Sequence, residues 1–284
     1  QEAREAGVTT VLTGPGSSNA IAGQAAAVKT VGRWVDDMVV LAPAAMKFAL
    51  GENPKRIHGK GRQTAPMTRM ATAALIREQL RKALEYADRV QRSREDPDED
   101  PPDYDAALEA LVPVVQGTLP AHFHAHRADD IATAVRIAKE FRLNYVLVHA
   151  TEGYLVADIL AREGVRVIVG PMISDRSKPE LARLRVTNAA RLAQAGVPVA
   201  ICTDHSELPI QYLPLSAALA TREGMDPEAA LAAITLTAAE TGGVAHRVGS
   251  LTPGKDADLV LCSGHPLDLN TRIQAVFIDG RQVK

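Results

Sequence analysis

The chain has 284 residues, of which 46% are hydrophobic and 23% are charged, close to the averages of globular proteins. These values exclude a mostly disordered chain and suit one large domain with a small appendage. The formal net charge of -2 gives no general electrostatic reason to expect binding to nucleic acid or to an anionic membrane.

The apolar segments and the cysteines bear on the cellular compartment of the protein. No stretch of about 18 or more apolar residues lacks charges or chain-breaking residues, so we predict no transmembrane helix. The first residues lack the basic and then apolar pattern of a leader, and we expect a cytoplasmic protein. Cys202 and Cys262 lie in apolar strand-like runs, which favours buried free thiols over a disulfide.

The first hundred residues combine short apolar runs with one long helix. The predicted elements are, in chain order, the end of a helix over residues 1–6, strands over 8–12, 38–41 and 44–50, and a helix over 68–92. The segment 93–103 is acidic and rich in proline, which is typical of a solvated surface loop.

From residue 120 onward, strands and amphipathic helices alternate. The predicted strands span residues 120–126, 145–149, 165–169 and 197–203, and the predicted helices span 128–141, 154–162, 187–195, 215–222 and 227–241. Asp226 before Pro227 is a typical helix start, with the aspartate as the N-cap residue. This alternation predicts a parallel β/α architecture.

After Gly249 the pattern changes to short strands. Residues 258–261 and 275–278 are predicted strands, and Asp279-Gly280 is a turn of the kind that closes a hairpin. We predict a small β domain over residues 250–284, separate from the part spanning 1–249. Its strands need partners to bury their apolar faces, and the sequence offers no obvious ones elsewhere in the chain.

Three predicted strands end in side chains that bind metals or transfer protons. His124, His149 and Asp204 each stand at the carboxyl end of a different strand, where the ends of parallel strands meet. Histidine and carboxylate at such a rim are typical of a catalytic metal site, whereas a single strand histidine is more often structural. His126 shares a strand face with His124. It either replaces His124 as a ligand or supports the ligands.

This order of histidine, histidine and aspartate resembles the amidohydrolase superfamily. The segment from Gly249 to Val260 is similar to the G-x-L-x-x-G-x-x-A-D-L-V run of that superfamily, and the chain resembles its imidazolonepropionase-related branch. The resemblance implies a TIM-type (β/α)8 barrel over residues 1–249. It also implies that residues 250–284 are the carboxyl-terminal strands of a small composite β domain.

The resemblance also implies one or two divalent cations, most commonly zinc. It places metal ligands at His124, His149 and Asp204, and it places Lys47 where some relatives have a bridging lysine. An ordinary solvated or substrate-contacting lysine is the alternative for Lys47.

The sequence departs from the family pattern at its beginning. Relatives carry a His-x-His pair on the first barrel strand, and no such pair precedes residue 8 here. The strands that would pair with residues 250–284 are also not evident. We therefore expect that the natural amino terminus, with the first barrel strand, lies outside this chain; a metal-free relative is the alternative.

The implied chemistry is metal-assisted hydrolysis of a C–N bond in a cyclic amide, an N-acyl compound or a dipeptide. Asp204 would act as general base and then general acid, and His149 or His205 would stabilise the developing oxyanion. A ring deaminase or chlorohydrolase of the same superfamily is one alternative. A non-catalytic, metal-free barrel that binds a small ligand is another.

The loops after the strands would select a small-molecule substrate. The candidate contacts are Arg127, Glu152, Tyr154, Arg176, Ser177, Lys178, His205 and Tyr212. Arg127 suits a substrate carboxylate, with a salt bridge at a helix start as the alternative. A surface loop position is the alternative for His205, and a homo-oligomer is an open expectation.

Overall fold

A computed structural model describes residues 1–284, and its larger part is one curled sheet with helices packed against it. Neighbouring strands follow the order β1-β2-β3-β4-β5-β6-β7. They are β1 (Thr10–Thr13), β2 (Ile21–Lys29), β3 (Val39–Ala49), β4 (Ala121–Ala125), β5 (Tyr145–His149), β6 (Arg166–Val169) and β7 (Val199–Ile201). From β3 to β7 all pairs are parallel, which confirms the barrel-type α/β class as a half-barrel.

Helices connect these strands. They are α1 (Glu2–Glu5), α2 (Val35–Met38), α3 (Glu52–Lys55), α4 (Arg69–Glu95), α5 (Ala106–Val115), α6 (Ala128–Glu140), α7 (Ala157–Arg162), α8 (Asn188–Gln194), α9 (Leu213–Arg222), α10 (Pro227–Ala233) and α11 (Leu236–Thr241). The predicted start of α10 is confirmed, because the Asp226 side chain accepts a hydrogen bond from the Ala229 N–H and Pro227 opens the helix. None of these helices combines the length and apolar character needed to cross a membrane.

Side-chain alternation divides the central strands into an apolar face and a polar face. Phe48 on β3 lies beside Phe123 on β4, and their rings stack with centroids 4.9 Å apart in the hydrophobic core. The residues that alternate with them are Lys47 on β3 and the histidines of β4. Because successive side chains point to opposite faces of a strand, packing of the phenylalanines directs these polar groups to the other face.

The smaller part is an antiparallel sheet in the order β10-β9-β8. Its strands are β8 (Leu259–Cys262), β9 (Ile273–Ile278) and β10 (Arg281–Gln282). Asp279 and Gly280 connect β9 to β10 with φ values of 51° and 73°, so the predicted hairpin turn is confirmed. The strands for which we expected no partners thus pair with one another, while the boundary at residue 249 stays a prediction.

The first three strands differ from the parallel arrangement that we predicted. The β1–β2 and β2–β3 pairs are antiparallel, and β2 was not predicted at all. Three consecutive alanines and a glycine within β2 have low strand propensity, so pairing with its neighbours rather than local preference produces this strand. The predicted runs 38–41 and 44–50 form one strand, β3, and α5 was also missed. Both cysteines are free as predicted, but they are half-buried rather than fully buried.

A buried ion cluster connects the two sheets. The Nζ of Lys29, at the end of β2, lies 2.9 Å from Asp256 Oδ2, 2.8 Å from Asp258 Oδ1 and 3.4 Å from Asp279 Oδ1, and its side chain is 4% exposed. Burial alone would lower the pKa of Lys29, but hydrogen bonds to Asp258 and Asp256 and the nearby charges outweigh it and raise that pKa. One ammonium group therefore holds three carboxylates of the carboxyl-terminal segment against the main sheet.

Replacing this ammonium group should destabilise the fold. We expect Lys29→Met to lower the free energy of unfolding by about 3 kcal/mol, because the buried Asp258 carboxylate loses its partner. Lys139→Met is the matched control: Lys139 is 60% exposed and pairs only with Glu163, so the loss should be below about 1 kcal/mol. Urea unfolding followed by circular dichroism measures both. Equal losses in the two variants would contradict the stabilising role of the buried Lys29 cluster.

The difference in unfolding free energy between wild type and Lys29→Met should depend on pH. Because the pKa of Lys29 is raised in the folded state, its contribution is present below its ordinary value of 10.5 and is lost as pH rises through the folded pKa. Burial acts to raise the pKa of Asp256, but Lys29 and Arg247 outweigh it and lower that pKa below 3.8. The stability difference between wild type and Lys29→Met should therefore persist at neutral pH and shrink below about pH 4.

Candidate metal centre

Three buried histidines meet at the carboxyl ends of β4 and β5. His124, His126 and His149 each offer one ring nitrogen, and these nitrogens lie within 4.8 Å of one another. The ring centroids are 4.6 Å apart for His124 with His126 and with His149, and 4.8 Å apart for His126 with His149. The arrangement suits a single cation with imidazole ligands.

Burial keeps these imidazoles neutral. It is the largest cause that lowers the pKa of His124 and His126 well below the ordinary value of 6.5, and the neighbouring imidazoles add to it. Burial also lowers the pKa of His149, although the Asp204 carboxylate opposes the shift. Neutral imidazole is the form that binds a metal, so no proton has to be removed from these rings near pH 7.

The backbone directs His149 into the cluster. In the β4–β5 register, Val148 lies beside His124, whereas His149 lies beside Ala125 on the alternate face. His149 has a φ of 72° and Ala150 a φ of 40°, so the chain leaves the strand conformation at this point. A left-handed conformation costs a non-glycine residue on the order of 1 kcal/mol, and such residues concentrate at functional sites.

Hydrogen bonds fix which nitrogens are available. The His149 Nδ1 lies 2.6 Å from the carbonyl oxygen of Gly170, so Nδ1–H donates and Nε2 carries the free lone pair. The His126 Nδ1 lies 2.7 Å from the Thr151 hydroxyl. The His124 Nε2 is buried without any hydrogen-bond partner. An unpartnered buried nitrogen among neutral imidazoles with anchored rings fits a metal ligand set.

The predicted ligands are only partly brought together. His124 and His149 join the cluster, and His126, the predicted substitute, is its third member. Asp204 lies outside this group of three, in an exposed turn after β7 with a φ of 52°. Its charge nevertheless acts on the pKa of both His149 and Lys47, in the direction that raises each. The ligand role of Asp204 stays a prediction.

Lys47 stands on the same sheet face as the β4 histidines. It pairs with His122 in the β3–β4 register. Burial lowers its pKa, and the Asp204 carboxylate partly offsets that effect. A half-buried lysine of lowered pKa has the environment that a bridging lysine needs, and that role stays a prediction.

Sequence reasoning missed a buried carboxylate beside His126. The Glu180 side chain is 0% exposed, and its Oε1 lies 3.8 Å from His126 Nε2. Its other oxygen, Oε2, accepts a hydrogen bond of 2.8 Å from the Glu52 N–H. Burial raises the pKa of Glu180, and the Glu52 hydrogen bond partly offsets this. The sequence around Glu180 reads as a loop and gave no signal of this position.

A second buried carboxylate, Asp130 on α6, completes the surroundings of Glu180. Arg69 donates to Asp130 Oδ2 at 3.0 Å and lies 3.9 Å from Glu180 Oε2. Gly51 has a φ of 86°, and a Cβ at this position would come within 2.7 Å of Glu180 Oε2. Only glycine therefore allows the carboxylate to approach the backbone that follows β3.

The predicted substrate contacts are mostly engaged with the chain itself. Arg127 binds both oxygens of Asp129 at 2.9 Å, which is the salt bridge at a helix start considered above. Arg176 donates to the Leu184 carbonyl at 3.0 Å, and the His205 Nδ1 accepts from the Ile210 N–H at 3.3 Å. Tyr154 donates its hydroxyl to the Arg183 carbonyl at 3.2 Å. Their contacts with a substrate stay predictions.

Comparison with known proteins identifies the family. The model of the amidohydrolase family matches residues 1–283, and the chain belongs to this family. Members of the family generally use divalent metals, and the three-histidine cluster is able to hold one. The predicted resemblance is thereby confirmed.

Individual relatives agree with this placement. An amidohydrolase of Thermotoga maritima MSB8 is 40% identical, with a TM-score of 0.96, over 100% of this chain and 73% of its own. The amidohydrolase tasK of Hapsidospora irregularis is 32% identical over 99% of this chain and 31% of its own length. The imidazolonepropionase of Geobacillus kaustophilus (strain HTA426) is 44% identical over 39% of this chain and 28% of its own. The chain thus spans about a third of the length of these two curated relatives.

The cluster makes a direct prediction about metal binding. We expect the protein to bind Co²⁺ or Zn²⁺, and His124→Asn to weaken binding at least roughly tenfold, because one of three ligands is lost. His122→Asn is the matched control, since His122 is equally buried on the same strand but lies outside the cluster. Titration with Co²⁺ followed by visible absorbance, with Zn²⁺ competition, measures the affinity. The assignment fails if both variants bind as wild type does.

The glycine beside Glu180 allows a second test. Gly51→Ala should lower the free energy of unfolding by about 3 kcal/mol, because positive φ and a clash with Glu180 combine. Gly117→Ala is the control: Gly117 has a φ of 75° and open space around it, so only about 1 kcal/mol should be lost. Urea unfolding gives both values. Equal losses would show that Glu180 tolerates displacement.

Proposed function

We propose that the protein is a metal-dependent hydrolase that cleaves a C–N bond in a small cyclic amide, N-acyl compound or dipeptide. The observation that carries the proposal is the buried cluster of three neutral imidazoles at the carboxyl ends of β4 and β5. In a barrel-type fold, this edge of the sheet is where active sites form. Membership of the amidohydrolase family supports the same reaction class.

The proposed metal ligands are His124, His126 and His149, with Asp204 and Lys47 as further candidates. Zinc is the proposed ion, because imidazole and carboxylate ligands are typical of catalytic zinc. When bound, such an ion supplies Lewis-acid activation of the scissile carbonyl and of water. The buried cluster provides a low-dielectric setting in which that activation is strong.

Asp204 is the proposed proton carrier. Its exposed carboxylate can accept a proton from the attacking water and pass it to the leaving nitrogen. Asp204 follows β7 in an exposed turn with a φ of 52°, and its charge acts on the pKa of His149 and Lys47. A left-handed backbone conformation at a carboxylate whose charge acts on a buried imidazole favours a functional role.

The tautomers of His149 and His205 indicate which of the two is the better donor to the developing oxyanion. His149 donates its Nδ1–H to Gly170, so its neutral ring presents a lone pair at Nε2 and suits a ligand better than an oxyanion donor. The His205 Nδ1 accepts from the Ile210 N–H, so its neutral ring carries a proton on Nε2. His205 is therefore the proposed donor to the developing oxyanion.

The test is hydrolysis by zinc-loaded protein of a panel of N-acyl amino acids, dipeptides, cyclic amides and aminated rings. We expect amide cleavage that a chelator abolishes, and a fall in kcat/KM of about 100-fold or more in Asp204→Asn. Asp175→Asn, an exposed carboxylate on the loop after β6, should leave kcat/KM within about twofold.

Three outcomes would overturn the proposal. Zinc-loaded protein that cleaves no member of the panel would remove the hydrolase assignment. Undiminished activity in Asp204→Asn would remove the proton-carrier role. Release of ammonia from the aminated rings alone would replace amide hydrolysis with ring deamination, the alternative raised by the sequence.

A further inference from the structure

A small pocket lies directly beside the histidine cluster. It is partly open to solvent, and its lining includes His149, Gly170, Met172, Arg185 and Asn188. The lining therefore combines a proposed metal ligand, His149, with an arginine. A substrate bound across its opening could contact both residues.

The Arg185 guanidinium is supported but not neutralised. Its central carbon lies 5.5 Å from the centroid of the Tyr154 ring, a cation–π contact. The side chain is exposed and forms no ion pair or hydrogen bond with the rest of the chain. The N–H donors of a planar guanidinium match the two oxygens of a carboxylate, and here they are all free.

Tyr154, the residue whose ring lies under Arg185, is anchored to the strand end that carries His149. The Tyr154 N–H donates to Asn188 Oδ1 at 2.9 Å, and the Asn188 Nδ2 donates to the Ala150 carbonyl at 2.9 Å. Ala150 directly follows His149 in the chain. The tyrosine beneath the arginine is therefore tied to the strand end beside the cluster, and an anchored ring reduces the cost of ordering the arginine when an anion binds.

The surrounding rim is positively charged. Residues 174–185 carry four cationic side chains and two carboxylates, and one of those carboxylates, Glu180, is buried. Arg183 lies 4.0 Å from Glu152, and Arg176 is bound to a backbone carbonyl. Arg185 is thus the arginine of this segment whose donors remain available at the pocket.

We propose that Arg185 binds a carboxylate of the substrate and so selects N-acyl amino acids or dipeptides over neutral amides. This inference rests on the proposed hydrolase function and narrows its substrate class. The carboxylate forms a bidentate pair with the guanidinium above Tyr154. The acyl C–N bond then lies toward the histidine cluster, a few atoms away.

Matched substrates and variants test this selectivity. The zinc-loaded protein is assayed with N-acetyl amino acids and with their neutral carboxamides, which differ only in the charged group. We expect wild type to prefer the acids, and Arg185→Gln to lower the acid-to-amide ratio of kcat/KM about tenfold or more, mainly through KM. Arg183→Gln, two residues away and also exposed, should leave that ratio unchanged.

Two results would overturn the inference. One is an equal loss on acids and amides in Arg185→Gln, which indicates a general structural role. The other is an equal shift of the ratio in Arg183→Gln, which indicates a diffuse effect of positive charge.

Binding measurements separate this inference from the proposed reaction. Calorimetric titration of zinc-loaded protein with N-acetyl-L-alanine and N-acetyl-L-alaninamide needs no turnover. Tighter binding of the acid in wild type, lost in Arg185→Gln, supports the carboxylate site even if no substrate is hydrolysed. Equal binding of acid and amide overturns the site even if hydrolysis occurs.

Discussion

The alternation of side chains along β4 is the constraint on which the site depends. Phe123 stacks on Phe48 in the core, and this contact fixes which face of the strand is apolar. His124 must then point the other way, since a shift of one residue would bury histidines in the core and expose phenylalanine. Burial of the phenylalanines therefore both stabilises the sheet and directs the imidazoles to the other face at its edge. Desolvation at that edge keeps these imidazoles neutral.

Around this edge, several buried charges of the fold lie beside partners of opposite charge. Lys29 joins three carboxylates of the small-sheet segment to the main sheet, and Arg69 lies between Asp130 and Glu180. Such groups give little net stability compared with apolar packing, but removing one partner is costly. Their effect is to fix position: the small sheet against β2, and the loop after β6 against His126. His124 Nε2 is one of the buried nitrogens without a hydrogen-bond partner, and a bound cation would provide it with one.

The residues proposed for the reaction and those proposed for substrate selection lie on different parts of the fold. The histidine cluster lies at the ends of β4 and β5, and Asp204 lies in the turn after β7. Tyr154 and Arg185 lie on the segments that follow β5 and β6, outside the sheet, and connecting segments of this kind commonly carry binding residues. Asn188 connects the two parts through its hydrogen bonds to Tyr154 and to the end of β5. Differences in substrate among relatives of this fold are expected to arise mainly in such segments.

The sequence by itself determined the elements whose signals are local. The strand at 145–149, the helix starting after Asp226, the Asp279-Gly280 turn and the positions of His124 and His149 at strand ends all follow from periodicity and capping. Tertiary structure decided the rest. The alanine-rich β2 forms only because its neighbours pair with it, and His126 joins the cluster because the turn at His149 brings the second strand end to it. Only the tertiary structure identifies Glu180 and Arg185 as candidate site residues. Their contacts, such as His126 for Glu180 and Tyr154 for Arg185, are distant in sequence. No local pattern therefore distinguishes them from solvated loop charges.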